Sequence, residues 1–366
     1  MFDNIYKGKK IIITGHTGFK GSWLSTWLIS LGADVVGISK DIPTSPSMFV
    51  ELGIEEKLTH YIADICNLDH IKKIIDKEQP DFVFHLAAQA LVSVSYENPT
   101  ETILTNVIGT MNVLEGMRNI KKKCQIILIT SDKCYDNVEW VWGYRELDKL
   151  GGRDIYSGSK GAAELVIKSY ISSFFNNKEL DISIGICRAG NVIGGGDWAK
   201  DRLVVDCMRS WNEGNPVEIR SPDATRPWQH VLEPLSGYLS LGMALSKSTE
   251  LHGEAFNFGP RSKKNYTVCE LLIDLSKYWN FKHKSEVFTV VDRIPFHEAE
   301  LLMLNCDKAL FHLDWEANLD YKDTIKFTSE WYYKYYRKNV NLYDLTLKQI
   351  RDYEKKAQER HLLWAR

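Results

Sequence analysis

The 366-residue sequence has no apolar run approaching the roughly 18 residues of a membrane-crossing helix, and Met1 to Lys7 carry no apolar signal core. Both absences point to a soluble, cytoplasmic protein. The seven cysteines, at 66, 124, 134, 187, 207, 269 and 306, include no C-x-x-C pair. An odd and scattered set argues for reduced thiols, and against a disulfide framework or a metal site. Neither sign of charge is in surplus, since 46 Lys and Arg face 48 Asp and Glu for a formal net charge of −2. With no basic stripe there is no field to draw nucleic acid or an anionic membrane, so an anionic ligand must be met by local arginines and lysines. Internal repeats and low-complexity segments are lacking too.

What is there begins with residues 9–14, which read as a first strand. Gly15-His-Thr17-Gly18-Phe19-Lys-Gly21 follows directly, and Trp23, Leu24, Trp27, Leu28 and Leu31 then fall at helical spacing. Strand, glycine turn and helix together form a dinucleotide site, because glycine lets backbone approach a phosphate and the helix start offers free N–H groups. No G-K-[ST] follows, which argues against a nucleoside-triphosphatase loop. Residues 34–39 read as the second strand, ending in Ser39-Lys40-Asp41. Asp41 is placed to reach the adenosine ribose, while Ser39 and Lys40 would tolerate a 2′-phosphate, so NAD and NADP both stay open.

Residues 62–65 read as a third strand, with Asp64 toward adenine and Ile65 beside it. Residues 81–88 form a near-continuous apolar run of the parallel-sheet kind, closed by Leu86, Ala87 and Ala88. Asn106 sits on a helix with Val107, Met111 and Leu114, either as a cofactor contact or as a buried hydrogen-bonding link between helix and strand.

The apolar run Ile126 to Ile129 stops abruptly in Thr130-Ser131-Asp132-Lys133-Cys134-Tyr135. A buried strand that ends in polar groups delivers them where open α/β sheets bind ligands. Tyr156-Ser-Gly-Ser-Lys160 follows, with Tyr and Lys four apart and so on one helix face. A phenol becomes a base near neutral pH only beside a cation, and Lys160 is placed to be that cation while Ser131 holds the reacting oxygen. Alternating strands and helices predict a doubly wound parallel α/β sheet with a smaller, interleaved C-terminal substrate-binding lobe. The expected division is residues 1–190 as the dinucleotide-binding unit, with later segments returning to it, 191–336 as the lobe and 337–366 as a charged helical tail. Arg226 and Arg293 are the lobe arginines best set to meet an anion, with Arg202 among the others.

Gly15-x-x-Gly18-x-x-Gly21, Asn106 and Ser131 with Tyr156-x-x-x-Lys160 resemble the extended short-chain dehydrogenase/reductase family, which has a Rossmann fold. The glycine turn through Trp23, Thr130 to Tyr135, Trp142-Gly-Tyr-Arg-Glu146 and Gly151 to Ser157 narrow the resemblance to its nucleotide-sugar 4,6-dehydratase branch, with the motifs of the enzymes that take CDP-glucose. The resemblance implies oxidation at C4 of the hexose, loss of water across C5 and C6, and return of the hydride to C6. Tyr156 would take the O4 proton, Lys160 would lower its pKa, and Ser131 would hold O4. Asp132 and Lys133 would serve the elimination, in roles that stay open. Asn191, Arg202, Arg226, Arg293 and His297 would hold the nucleotide sugar. NAD is the implied cofactor, no metal is expected, and a homodimer or larger homo-oligomer is implied. GDP- or UDP-linked hexoses, a C4 epimerase of the same fold, and a silent dinucleotide-binding scaffold are the alternatives.

Overall fold

The computed structural model describes residues 1–176, 181–261, 266–279, 281, 283–291 and 301–366. Seven strands form its main sheet: β1 (Lys10–Thr14), β2 (Asp34–Ser39), β3 (Thr59–Ile62), β4 (Phe82–His85), β5 (Cys124–Ile129), β6 (Ile182–Ala189) and β7 (Ala255–Phe258). Their order is β7-β6-β5-β4-β1-β2-β3, and every pairing is parallel. The order reverses between β1 and β4, and the crevice outside their carboxyl ends is where such sheets bind ligands.

Neighbouring residues of one strand enter opposite cores, as a period of two requires. Ile11, Ile13, Phe82 and Phe84 meet α1 (Phe19–Ser30) through Trp23 and Trp27. Ile12, Val83, Ile126 and Leu128 face the other way, against Ile71 and Ile75 of α2 (Leu68–Glu78), Val113 and Leu114 of α3 (Thr110–Met117) and Ile167 of α4 (Ile155–Tyr170). Both faces of the sheet are thus covered, which is why its central strands carry apolar runs rather than polar alternation.

The third strand lies three residues earlier than residues 62–65. Thr59 to Ile62 pair with Val36 to Ser39 at the sheet edge, so Asp64 and Ile65 leave the strand and turn across its carboxyl end. Asn106 sits in a π-helical stretch, Leu104–Gly109, that runs into α3. Beyond β6 come α5 (Leu203–Asn212) and α6 (Leu232–Lys247), and α6 packs Leu235, Tyr238 and Leu239 into the α1 side of the sheet before the chain returns as β7. Next are α7 (Val268–Ser276), α8 (Tyr321–Arg337) and α9 (Leu342–Glu359). The C-terminal segment packs on its own chain. Trp27 Nε1 donates to Glu354 Oε1 at 2.8 Å, and Trp364 stacks on both Tyr353 and Phe2.

Candidate active site

Two of the three glycines are forced by close approach. Gly15 has φ +77°, and a Cβ there would stand 2.8 Å from the Ala87 backbone nitrogen at the end of β4. A Cβ on Gly21 would stand 2.1 Å from the Gly15 carbonyl oxygen. Any side chain at either place pushes the turn off the sheet or the helix off the turn. Gly18 is the N-cap of α1 and brings no side-chain cap, so the first-turn N–H groups face outward at the positive end of the helix. This cradle fits a dinucleotide diphosphate, with Phe19 as the first helical residue.

The turn is tied to β2 by a polar chain. Thr17 Oγ1 donates to the Asp41 carbonyl at 2.7 Å, and Thr17 N–H donates to Ser39 Oγ at 3.3 Å. Ser39 Oγ also bonds His16 Nδ1 at 2.9 Å, and His16 Nε2 meets His60 Nδ1 at 2.6 Å. Burial first, and His60 second, push His16 down to about 3, so the ring is neutral. Ser39 is therefore engaged within the protein, and Lys40 Nζ pairs with Glu101 at 3.0 Å. Lys40 and Glu101 line a cavity of about 720 Å³ with Asp64, Asn98 and Thr105. Asp41 lies exposed, while Ile65 is buried against Gly109.

Leu86, Ala87 and Ala88 are half-buried at the end of β4, where Leu86 N–H donates to Thr14 O and Ala87 N–H to Thr14 Oγ1. Asn106 is a buried link. Its Oδ1 accepts from Gln89 N–H at 2.9 Å, and its Nδ2 donates to Gln89 O at 3.1 Å and Ser159 Oγ at 2.8 Å. It acts on the crevice by joining the loop after β4 to the helix that carries Tyr156.

At the end of β5, Ser131 caps a short 3-10 turn, Asp132–Cys134. Its hydroxyl donates to Asp132 Oδ1 at 2.9 Å and accepts from Lys133 N–H at 3.2 Å. Tyr156 lies in the first turn of α4, whose N-cap Asp154 accepts from Ser157 N–H at 2.9 Å. Burial raises the Asp132 carboxyl above its usual range, against Lys133, Ser131 and Lys20, which all pull it down. Burial also raises the Tyr156 phenol, against Arg202 and Ser131. Lys160 Nζ stands 5.9 Å from the Tyr156 ring centre and is itself pushed down to about 8 by burial. Arg202, rather than Lys160, is the cation that acts most strongly on the phenol.

The other expected contacts are spread out. Asn191 is half-buried just past β6, and its carbonyl accepts from Gln229 N–H at 3.3 Å. Arg202 Nη2 donates to the Ala90 carbonyl at 3.2 Å, across the crevice mouth. Arg226 donates to the Thr225 carbonyl and pairs through its backbone with Tyr266. Arg293 and His297 lie outside the described residues.

Sequence reasoning missed a buried charge network beneath the site. Arg188, the next-to-last residue of β6, pairs with Glu164 with both side chains fully buried. Glu164 Oε1 accepts from Thr130 Oγ1 at 2.7 Å, while Arg188 Nη1 donates to Tyr135 OH at 2.6 Å and to the Glu146 carbonyl at 3.0 Å. Thr130 and Tyr135 bracket Ser131 to Cys134, so the network fixes that turn from both ends. Tyr135 stacks on Tyr144 with ring centres 5.0 Å apart and donates to Asn257 Oδ1 at 2.8 Å. Lys20, from the glycine turn, also points inward. Its Nζ donates to Tyr238 OH at 3.4 Å, and burial pushes it down to about 8. The signals were available: Glu164 is one helical turn past Lys160, and Lys20 lies inside the glycine motif.

The sequence matches the family described as GDP-mannose 4,6 dehydratase over residues 12–328. A CDP-glucose 4,6-dehydratase of Salmonella typhimurium is 42% identical over 354 residues, covering 96% of this chain and 97% of that protein. Among solved structures, UDP-glucose 4-epimerase from Thermotoga maritima with UDP-glucose superposes with a TM-score of 0.77 at 21% identity, over 89% of this chain and 99% of that one. The dTDP-glucose 4,6-dehydratase from Bacillus anthracis, in complex with NAD, gives a TM-score of 0.74 at 18% identity, over 90% and 97%. At those identities the two structures speak for the fold alone.

Proposed function

Because the chain belongs to the GDP-mannose 4,6-dehydratase family, we propose that it is a nucleotide-sugar 4,6-dehydratase converting CDP-glucose to CDP-4-keto-6-deoxyglucose. The observation that carries the reading is the turn after β5. A C4 epimerase needs only Ser131, Tyr156 and Lys160, whereas here Asp132 and Lys133 extend the same turn with two further proton-handling groups. Elimination across C5 and C6 needs one such group to take a proton and another to give one.

NAD, held by Gly15, Thr17, Gly18, Phe19 and Gly21, by Asp41, Asp64 and Ile65, and by Leu86, Ala87, Ala88, Tyr156 and Lys160, supplies the hydride acceptor for C4 and the hydride donor for C6. The engaged Ser39 and the paired Lys40 favour NAD over NADP. Asn106 positions Gln89 and α4 around it. Tyr156 takes the O4 proton while Ser131 holds O4. The C4 ketone then makes the C5 proton acidic, and Lys133 serves at C5 as base or as the charge beside the enolate. Asp132 protonates the departing O6 hydroxyl, a role that its raised proton affinity suits. Asn191, Arg202 and Arg226 hold the diphosphate, joined by Arg293 and His297. The free cysteines suit a cytoplasmic setting, and the family resemblance supports a homodimer or larger assembly.

The test is to incubate the protein and NAD with CDP-glucose, GDP-mannose and UDP-glucose separately and follow each by mass spectrometry. The expected result is loss of one water from CDP-glucose with no net reduction of NAD. A product of unchanged mass and inverted C4 would make the protein an epimerase instead.

A further inference from the structure

Sheets of this kind tell NAD from NADP at the end of the second strand, where a carboxylate accepts from the adenosine 2′-hydroxyl or an arginine meets a 2′-phosphate. This strand ends in neither. Ser39 closes β2, and its hydroxyl is already engaged by His16 Nδ1 at 2.9 Å and by Thr17 N–H at 3.3 Å. Lys40 comes next, a cation that by residue type alone would welcome a phosphate. What keeps the site for NAD must therefore act on Lys40.

The cavity of about 720 Å³ beside Lys40 shows how. Lys40 directly follows β2 and Asp64 comes two residues after β3, so the cavity opens at the carboxyl ends of both strands, next to β1 and its glycine turn. Among the described residues that line it, Lys40 is the one cation, against the carboxylates of Asp64, Glu97 and Glu101. That cation is taken. Lys40 Nζ donates to Glu101 Oε1 at 3.0 Å, reaching from the end of β2 to the short helix Pro99–Ile103. The Glu101 hydrogen bond raises the Lys40 pKa against burial, and Asp64 and Asp41 add to it. With one positive and three negative side chains, the lining is negative by two charges. It accepts an uncharged base and ribose but repels a 2′-phosphate, which brings roughly two negative charges of its own at neutral pH.

We propose that Glu101 sets the preference for NAD by occupying Lys40, so that the one cation lining the cavity cannot meet a 2′-phosphate. Glu101 takes the place of the missing carboxylate at the strand end, but it acts on the cofactor through a neighbouring charge rather than through the ribose. The side chains of the pair are 56% and 50% exposed, so the ion pair adds little to the stability of the fold and its removal leaves the sheet intact. The proposal rests on the dinucleotide reading of the crevice.

The experiment measures the affinities for NAD and NADP by titration calorimetry, for wild type, Glu101→Gln, Lys40→Ala and the double variant. Wild-type affinity for NAD reports on the dinucleotide reading by itself. The expected result is a wild type that binds NAD more tightly than NADP, and a Glu101→Gln variant in which that ratio falls at least about 10-fold, because the freed Lys40 makes a charge-assisted bond to the 2′-phosphate. Lys40→Ala alone does not lower the ratio, since Glu101 already holds that cation. Added to Glu101→Gln, it removes most of the gain in NADP affinity. The proposal is overturned if Glu101→Gln leaves the ratio unchanged. It is overturned equally if the double variant keeps the whole gain, which would make the loss of a nearby carboxylate, and not the release of Lys40, the cause. A wild type that binds neither dinucleotide would overturn the dinucleotide reading and the proposal with it.

Discussion

Arg188 and Glu164 offer the sharpest test of how the site is held. Both side chains are fully buried, and Glu164 holds the Arg188 guanidinium charged even though burial opposes it. Arg188→Met removes the cation hydrogen-bonded to Glu164 and leaves that buried carboxylate, among the described residues, with Thr130 Oγ1 as its remaining hydrogen-bond donor. An uncompensated buried charge of this kind costs about 3–5 kcal/mol of stability. Glu164→Leu makes the converse defect, at a similar cost. The double variant removes both charges and replaces them with apolar volume, so it should recover to within about 2 kcal/mol of wild type, the remainder being the acceptors and donors left by Thr130, Tyr135 and the Glu146 carbonyl. Urea unfolding followed by tryptophan fluorescence measures all four proteins, compared at equal slope. The same proteins also report on catalysis. Each single variant loosens one end of the Ser131 turn, so kcat for dehydration should fall at least about 10-fold while KM moves little, because the diphosphate contacts proposed above lie elsewhere. A double variant as unstable as the sum of the singles would refute the pairing. Single variants with unchanged kcat would refute the claim that the network aligns the turn.

Gly21→Ala puts a methyl group 2.1 Å from the Gly15 carbonyl, and calorimetric NAD affinity should drop at least about 100-fold, with the circular dichroism of the sheet retained. Tyr156→Phe keeps the ring and its packing but removes the proton acceptor proposed for O4, so dehydration should fall at least about 100-fold, measured as water loss by mass spectrometry. Glu233 is buried under the segment before α8, where it accepts from Asn318 and Leu319 N–H and from Tyr353 OH, and burial raises it to about 7. Its folded pKa exceeds the unfolded value of 4.5, so the folded state binds the extra proton between those limits. Stability should therefore fall by about 3 kcal/mol as pH rises from 4.5 to 7 and stay lost above, and Glu233→Gln should flatten that slope in unfolding midpoints taken across the range.

What the sequence made legible was local. An apolar run stopping at Ser131 marks a strand end, and Tyr156 with Lys160 marks a helix face, because both patterns repeat within a few residues. β3 was misplaced for the opposite reason. Thr59-His-Tyr-Ile62 is an edge strand with mixed exposure, so no alternation is imposed on it, while the more regular Ala63 and Ile65 are buried by the turn that follows. The parts left unread join residues far apart in sequence. Arg188 and Glu164 each look like solvated surface charges until β6 and α4 bring them together under Thr130. His16 and His60, 44 positions apart, meet only because β1 and β3 flank β2. Lys20 shows the limit from within a motif. At a helix start that binds phosphate, a lysine is expected to reach outward to the anion, but Trp23 and Trp27 anchor α1 so that this side chain turns toward Tyr238, where it is electrostatically coupled to Asp132. The packing directs its charge instead to Asp132, the group proposed to hold and release a proton. Proton handling at this site is accordingly set by the first turns of α1 and α4 and the carboxyl end of β5, and no window of sequence short enough to show a pattern contains all three.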